Sequence, residues 1–120
     1  MQHNPGFLVL VREAKEQIKE IDVEAYKNLT ETHLLIDVRE DHEFAAGHAQ
    51  GAMHLSKGII ERDIEAKVPD KTATLVLYCG GGYRSALAAH SLGRMGYQNV
   101  ISLDGGWRAW TGASLPTEST

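Results

Sequence analysis

A single cysteine followed by three glycines is the segment of this 120-residue chain with the clearest chemical potential. Cys79 ends an apolar stretch, and Gly80, Gly81 and Gly82 lead from it to Arg84 and a helical pattern. Glycine tolerates positive φ, and successive inward amide N–H groups form an anion-binding nest. The positive end of the following helix lowers the pKa of a nearby thiol. The segment therefore predicts a nucleophilic sulfur at the base of an anion-holding ring.

The spacing within this loop separates two thiolate chemistries. A lone cysteine at a strand end is more often a small buried hydrophobe, and a glycine run more often a tight turn. The cysteine, the glycines and an arginine in one strand-to-helix connection favour the reactive interpretation. Cys79 to Arg84 spans six positions, one fewer than cysteine phosphatases need for a phosphoryl group. The shorter ring favours transfer of a single sulfur atom.

Charged side chains near the loop have competing interpretations. Arg84 is expected either to bind an anionic substrate in a bidentate manner or to tie the loop to Asp37 or Glu43, with the scaffold role favoured. Asp37 and Arg39 end a predicted strand near the site. We expect them to form an ion pair or hydrogen-bond set that supports the site rather than to take part in catalysis.

Two residues that flank Arg84 are further candidates. Tyr83 is expected to line the mouth of the pocket. The alternative is an ordinary exposed tyrosine in a loop. Ser85 is expected to offer its hydroxyl either to the loop or to the sulfur, or simply to satisfy backbone groups at the helix start. Three histidines, at positions 42, 48 and 54, match neither a helical face nor a zinc pattern, so no metal site is predicted.

The hydrophobic pattern predicts strands that alternate with helices, which is typical of a parallel sheet covered on both faces. Strands are expected at 33–38, 52–55, 74–78 and 100–103. Helices are expected at 4–20, from Asp22, at 40–46, at 59–66, at 84–95 and from Gly105. We assign an N-terminal helical extension to residues 1–17, one α/β domain to 18–115 and a frayed tail to 116–120.

Composition excludes several classes of protein. Hydrophobic residues make up 42% and charged residues 23% of the chain, so an ordered globular domain is expected. The net charge of −4 argues against a nucleic-acid partner. One cysteine permits no intramolecular disulfide and no cysteine-rich zinc site. The apolar run 7–11 is too short for a signal core or a membrane span, so no membrane partner and a cytoplasmic location are expected.

Three motifs in order resemble the rhodanese-like family of single-domain sulfurtransferases, over about residues 18–112. The first comprises Leu35–Arg39 with Glu43-Phe44, Gly47-His48 and Gly51-Ala52, the second is Cys79–Ser85, and the third is Val100–Leu103 with Gly105–Trp110. The resemblance implies a five-stranded parallel sheet flanked by helices. The N-terminal helix lies outside the common core.

The resemblance also implies a ping-pong reaction without a metal or organic cofactor. The Cys79 thiolate would take the outer sulfur of a small anionic donor such as thiosulfate, and a thiol or cyanide would then accept it. The amides of Gly80 through Arg84 would cradle the persulfide. Many family members carry a basic or bulky side chain directly after the cysteine, where this chain has Gly80 and Gly81. The preferred donor therefore stays open.

Two other functions remain compatible with the motifs. A cysteine-dependent phosphatase or arsenate reductase would use the same thiolate, although the loop is short and no second cysteine is present to resolve an arsenate adduct. A non-catalytic binding module would have the same fold, but the retained cysteine favours activity. The apolar stripe of the N-terminal helix would either fold back on its own chain or pair two copies, so a monomer and a homodimer are both expected alternatives.

Overall fold

The apolar stretches of the chain form the strands of a parallel sheet, in a computed structural model that describes residues 3–120. The strands are β1 (Lys19–Ile21), β2 (Leu34–Asp37), β3 (His48–Ala49), β4 (Met53–His54), β5 (Thr74–Tyr78), β6 (Asn99–Leu103) and β7 (Thr117–Glu118). The helices are α1 (Pro5–Lys15), α2 (Val23–Lys27), α3 (Asp41–Ala46), α4 (Ile60–Lys67), α5 (Tyr83–Arg94) and α6 (Gly106–Gly112).

The main sheet has the strand order β1-β6-β5-β2-β4, with every neighbouring pair parallel. β5 lies at its centre and every residue of this strand is buried, as expected for a strand covered on both faces. One apolar cluster joins the sheet to α4 and α5, and the second joins it to α2 and α6. The predicted α/β architecture, a five-stranded parallel sheet with helices on both faces, is confirmed.

The predicted helix over 4–20 is wrong beyond Lys15. α1 ends there, and Lys19–Ile21 instead form the edge strand β1, which pairs in register with residues 101–103 of β6. The amide of Asp104 donates to the carbonyl of Ile21 at 2.8 Å. Pairing with β6 satisfies backbone groups of a short segment that also packs Ile21 on the second apolar cluster, and this outweighs its helical spacing.

The C-terminal tail, which was expected to be frayed, contains a short strand. Thr117 and Glu118 form β7, an antiparallel partner of β3. A Glu118 carboxylate oxygen accepts a hydrogen bond from the amide of Gly51 at 3.0 Å and lies 3.4 Å from Nε2 of His48. The Trp110 indole donates to the carbonyl of Pro116 at 2.9 Å. Long-range polar contacts of this kind leave no local pattern in a short polar tail.

α1 packs on α5 through its buried Val11 and Ala14, so the N-terminal helix folds back on its own chain. This arrangement corresponds to the first of the two alternatives for its apolar stripe. It also places the start of α1 beside the carboxyl end of β5. No helix within residues 3–120 is long and apolar enough to cross a membrane.

Candidate active site

Cys79 follows β5 directly, and the loop after it leads into α5. Gly82 precedes the first helical residue with a φ of 104°, a conformation that L side chains rarely adopt. Of the three glycines, Gly82 is the one whose backbone requires glycine, because neither Gly80 nor Gly81 has a positive φ. The glycine run therefore turns the chain at its last residue, as it enters the helix.

The Cys79 sulfur lies inside a ring of donors. The amide N–H groups of Gly82 and Ser85 point to Sγ at 3.2 and 3.4 Å. The Ser85 hydroxyl oxygen lies 3.5 Å from Sγ and 2.8 Å from the hydroxyl oxygen of Ser102, which is buried at the end of β6. The ring thus includes the Ser85 amide as well as the loop glycines.

These donors set the ionisation of the thiol. Burial raises the pKa of Cys79, since its residue is only 1% exposed. Hydrogen bonds from the Ser85 hydroxyl and from the amides of Ser85, Gly82 and Gly81 act in the opposite direction and leave the pKa lowered overall. The site therefore stabilises the thiolate relative to that of a free cysteine, in a place that is largely shielded from water.

Arg84 turns toward a carboxylate outside the loop. Its Nη1 donates to Oε1 of Glu43 at 2.8 Å and its Nη2 to Oε2 at 3.3 Å. Of the two partners considered from the sequence, Glu43 is the one that the structure brings to Arg84. The Arg84 hydrogen bond lowers the pKa of Glu43 to about 2, so this carboxyl is ionised at neutral pH.

The space that a side chain at Gly80 would need is occupied by Arg84. A Cβ at Gly80 would lie 3.2 Å from Nη2 of Arg84, which is tighter than ordinary van der Waals contact. The guanidinium thus occupies the space next to the loop backbone. A glycine at this position lets Arg84 pack there while it binds Glu43.

Asp37 and Arg39 form a buried ion pair behind the loop. Arg39 donates to both carboxylate oxygens of Asp37, with the shortest distance 2.7 Å, and to the carbonyl of Gly47. Its guanidinium also stacks on the Trp107 ring, with 4.7 Å to the ring centre. Neither residue borders the cleft at Cys79. The ion pair expected from the sequence is present, and its role in supporting the site stays a prediction.

The turn that starts α6 closes on the cysteine loop. The amide of Trp107 donates to the Cys79 carbonyl at 2.7 Å, and that of Arg108 donates to the Gly80 carbonyl at 3.1 Å. The motif Gly105-Gly106 was expected only to open a helix. Its role as the support of the cysteine loop arises from the adjacency of β5 and β6, which the local sequence does not reveal.

An open cleft of about 940 Å³ lies over Cys79. Its lining includes predicted site residues and others that the sequence did not point to: Gly80, Gly81, Tyr83, Arg84, His42, Glu43, Arg108, His3, Asn4 and Phe7. Tyr83 lies in the wall, as expected. Gly82 and Ser85 donate to the sulfur but are not among the residues that line the cleft. The histidines 48 and 54 instead bond to the backbone carbonyls of Phe44 and Arg39.

Comparison with known proteins places the motifs in one family. The model of the rhodanese-like domain matches residues 14–113. Thiosulfate sulfurtransferases named GlpE are 31% identical in Haemophilus influenzae and 33% in Vibrio cholerae, with 81% and 83% of this chain and 90% and 94% of theirs covered. A Bacillus subtilis protein named as a sulfur carrier, YrkF, is 32% identical over 83% of this chain, which spans only 55% of that protein.

Solved structures give the same fold. A Rhodopseudomonas palustris protein of unknown function, described as a possible tyrosine phosphatase, aligns over 98% of both chains with a TM-score of 0.82 and 27% identity. An Escherichia coli rhodanese with anions aligns over 74% of this chain and 100% of its own, with a TM-score of 0.65 and 29% identity. On the match of its residues 14–113, the chain belongs to the rhodanese-like family.

Proposed function

We propose that the protein is a sulfurtransferase that carries sulfane sulfur as a persulfide on Cys79. The observation that supports this most directly is the ring of amides at Sγ, because it favours an anionic sulfur and leaves space above for a small sulfur donor. The names of the GlpE relatives support the same reaction class.

In the first half-reaction the Cys79 thiolate attacks the outer sulfur of thiosulfate. The sulfur–sulfur bond of the donor breaks, sulfite leaves with the electron pair, and Cys79 carries an added sulfur with a negative charge. The amides of Gly82 and Ser85 are placed to stabilise the charge on Cys79 before attack. No proton moves in this step, since both the nucleophile and the leaving group are anions.

In the second half-reaction an acceptor removes the outer sulfur. A thiolate attacks it to give a new persulfide, or cyanide attacks it to give thiocyanate, and the Cys79 thiolate is regenerated. The buried Ser85 hydroxyl, which is paired with the buried Ser102 hydroxyl, is placed to donate to the regenerated thiolate. The small anionic donor and the thiol or cyanide acceptor are the partners proposed for this chain.

Phosphatase chemistry is the competing proposal, because the R. palustris structure shares nearly the whole fold. Hydrolysis of an aryl phosphate benefits from an acid that protonates the leaving oxygen. Within residues 3–120 the carboxyl that lines the cleft is Glu43, whose pKa of about 2 leaves it ionised, and Arg84 is held by that same carboxylate. These contacts disfavour phosphoryl transfer relative to sulfur transfer.

The deciding experiment is intact-mass spectrometry after treatment with thiosulfate. We expect a gain equal to one sulfur atom, its removal by cyanide, and no gain in Cys79→Ala. Absence of the adduct, or an adduct that persists in Cys79→Ala, would overturn the proposal. Hydrolysis of p-nitrophenyl phosphate that depends on Cys79, without sulfur loading, would establish the phosphatase alternative.

A further inference from the structure

The start of α1 and the two residues before it contribute a wall to the cleft over Cys79. His3, Asn4 and Phe7 border the same space as Cys79 and Tyr83. The part of the chain that matches the rhodanese-like domain begins at residue 14, so these three residues lie outside it. The E. coli rhodanese aligns with only 74% of this chain, whereas the R. palustris protein aligns with 98%. The part of the wall that precedes residue 14 therefore lies outside the family match, whereas Tyr83 lies within it.

Three aromatic rings form this wall. The His3 and Tyr83 rings have centroids 4.7 Å apart, the His3 and Phe7 rings 5.3 Å, and the Phe7 and Tyr83 rings 6.3 Å. The ammonium of Lys15 lies 5.3 Å from the centre of the Tyr83 ring. Each ring is half-buried, so the cluster is ordered by its own contacts and still presents apolar surface to the cleft.

The size and charge of the cleft extend this observation. A volume of about 940 Å³ is suited to an organic molecule and far exceeds what an inorganic thiosulfate ion fills. At its edge, the exposed Arg108 has no carboxylate ion pair within residues 3–120, whereas the charge of Arg84 is compensated by Glu43. The cleft thus combines a cation, an amide ring around the reactive sulfur and an aromatic wall.

We infer that the cleft selects sulfane donors with an apolar organic body, and that the wall formed by His3, Phe7 and Tyr83 binds this body. The inference rests on the proposed function and specifies its donor class. An organic thiosulfonate has the required parts. The Cys79 thiolate would attack its outer sulfur, the sulfur–sulfur bond would break, and a sulfinate would leave with the electron pair.

Two donors that differ only in the organic body provide the test. Loading of Cys79 is followed by mass spectrometry under single-turnover conditions with benzenethiosulfonate and with methanethiosulfonate, both of which release a sulfinate. We expect Phe7→Ala to lower the ratio of the two second-order rate constants about three- to tenfold, as for loss of one aromatic contact. Leu10→Ala, an exposed position on the same helix, is the matched control and should leave the ratio unchanged.

A binding measurement separates the wall from the chemistry. In Cys79→Ser, benzenesulfonate should bind more tightly than methanesulfonate by calorimetry, and the added substitution Phe7→Ala should abolish the difference. If Phe7→Ala unfolds, Phe7→Leu replaces it, because leucine keeps an apolar side chain at this position. It should give an intermediate ratio of the two loading rate constants.

An unchanged loading ratio and equal binding of the two sulfonates would overturn the inference without contradicting the persulfide on Cys79. Failure of every donor to load Cys79 would instead overturn the proposed function, and the sulfonate comparison would still decide whether the wall binds an organic body.

Discussion

Two glycine-rich turns lie side by side at the carboxyl edge of the sheet. One follows β5 and contains Cys79, and the other follows β6 and contains Gly105 and Gly106. Both enter a helix through a glycine in the left-handed region, with φ of 104° at Gly82 and 83° at Gly105. The sequence analysis assigns an anion-binding ring to the first turn and only a helix start to the second.

They differ in what their amides contact. In the first turn, Gly82 and Ser85 donate to the Cys79 sulfur. In the second, Trp107 and Arg108 donate to the carbonyls of Cys79 and Gly80. The amides of the second turn therefore bind backbone carbonyls, whereas those of the first donate to the Cys79 sulfur.

The second turn also explains the orientation of the first. In a planar trans peptide the carbonyl and the following N–H point in opposite directions. Since α6 holds the Gly80 carbonyl, the Gly81 N–H points the other way, and this amide is among those that lower the pKa of Cys79. The amides of a glycine-rich turn can thus face the cysteine sulfur when the carbonyls of that turn are bound by another element.

Disrupting the contact between the two turns is expected to have the largest effect. A Cβ at Gly106 would overlap the carbonyl oxygen of Cys79, and its φ of +50° disfavours a side chain. We expect Gly106→Ala to lower the free energy of unfolding by about 3 kcal/mol and to reduce sulfur loading of Cys79 strongly. Urea denaturation and the mass assay measure the two effects.

Gly112→Ala is the matched control for this substitution. Gly112 lies in the same helix, and a Cβ there would have no neighbour within 4 Å. It should leave loading unchanged and be neutral or slightly stabilising, because alanine favours helix. Equal effects of the two substitutions would show that the turns are not coupled.

The sequence predicts most of the fold because its central elements are specified locally. The continuous apolar strand at 74–78 and the helix that ends before Gly96 match β5 and α5 closely. β1, β3 and β7 are absent from the predicted strands because each is short and pairs with a strand far along the chain. The spacing of Ile18 and Ile21 predicts a helix, but pairing with the edge of β6 determines the structure of this segment.

The candidate site shows the same division between local and distant information. Cys79, Arg84 and Ser85 lie close together in the chain, at the end of β5 and the start of α5, so their proximity follows from the sequence itself. Ser102 comes from a neighbouring strand, and its hydroxyl near Ser85 depends on the register of β5 with β6. Parallel strands predict which ends meet, but a side-chain contact across them requires the register.

The Ser85 hydroxyl tests how much a single hydrogen-bond donor in the first turn lowers the pKa of Cys79. We expect Ser85→Ala to raise the pKa of the Cys79 thiol, because a hydrogen bond to the thiolate is lost while burial remains. Alkylation of Cys79 by iodoacetamide should shift to higher pH and become about tenfold slower at neutral pH.

The substitution also leaves the buried Ser102 hydroxyl without its partner, so the free energy of unfolding should fall by about 1–3 kcal/mol. Ser91→Ala, further along α5, removes a hydroxyl away from the sulfur and should change neither quantity. A pH profile of alkylation that is unaffected by Ser85→Ala would assign the lowered pKa to the amides alone.

The smallest expected effect concerns the pair that keeps Arg84 at the side of the loop. The pKa of Glu43 falls from 4.5 to about 2 in the folded protein, so its contribution to stability is present above pH 4.5 and is lost as the pH falls toward 2. Glu43→Gln should therefore lower the free energy of unfolding at pH 7, by up to about 1 kcal/mol for a half-exposed pair. The difference in free energy of unfolding between this variant and the original protein should shrink below pH 4.5. Urea denaturation at several pH values measures it.

A difference in free energy of unfolding that stays constant between pH 7 and 2.5 would mean that the ion pair does not hold Arg84. The packing of its guanidinium against Gly80 would then position it instead.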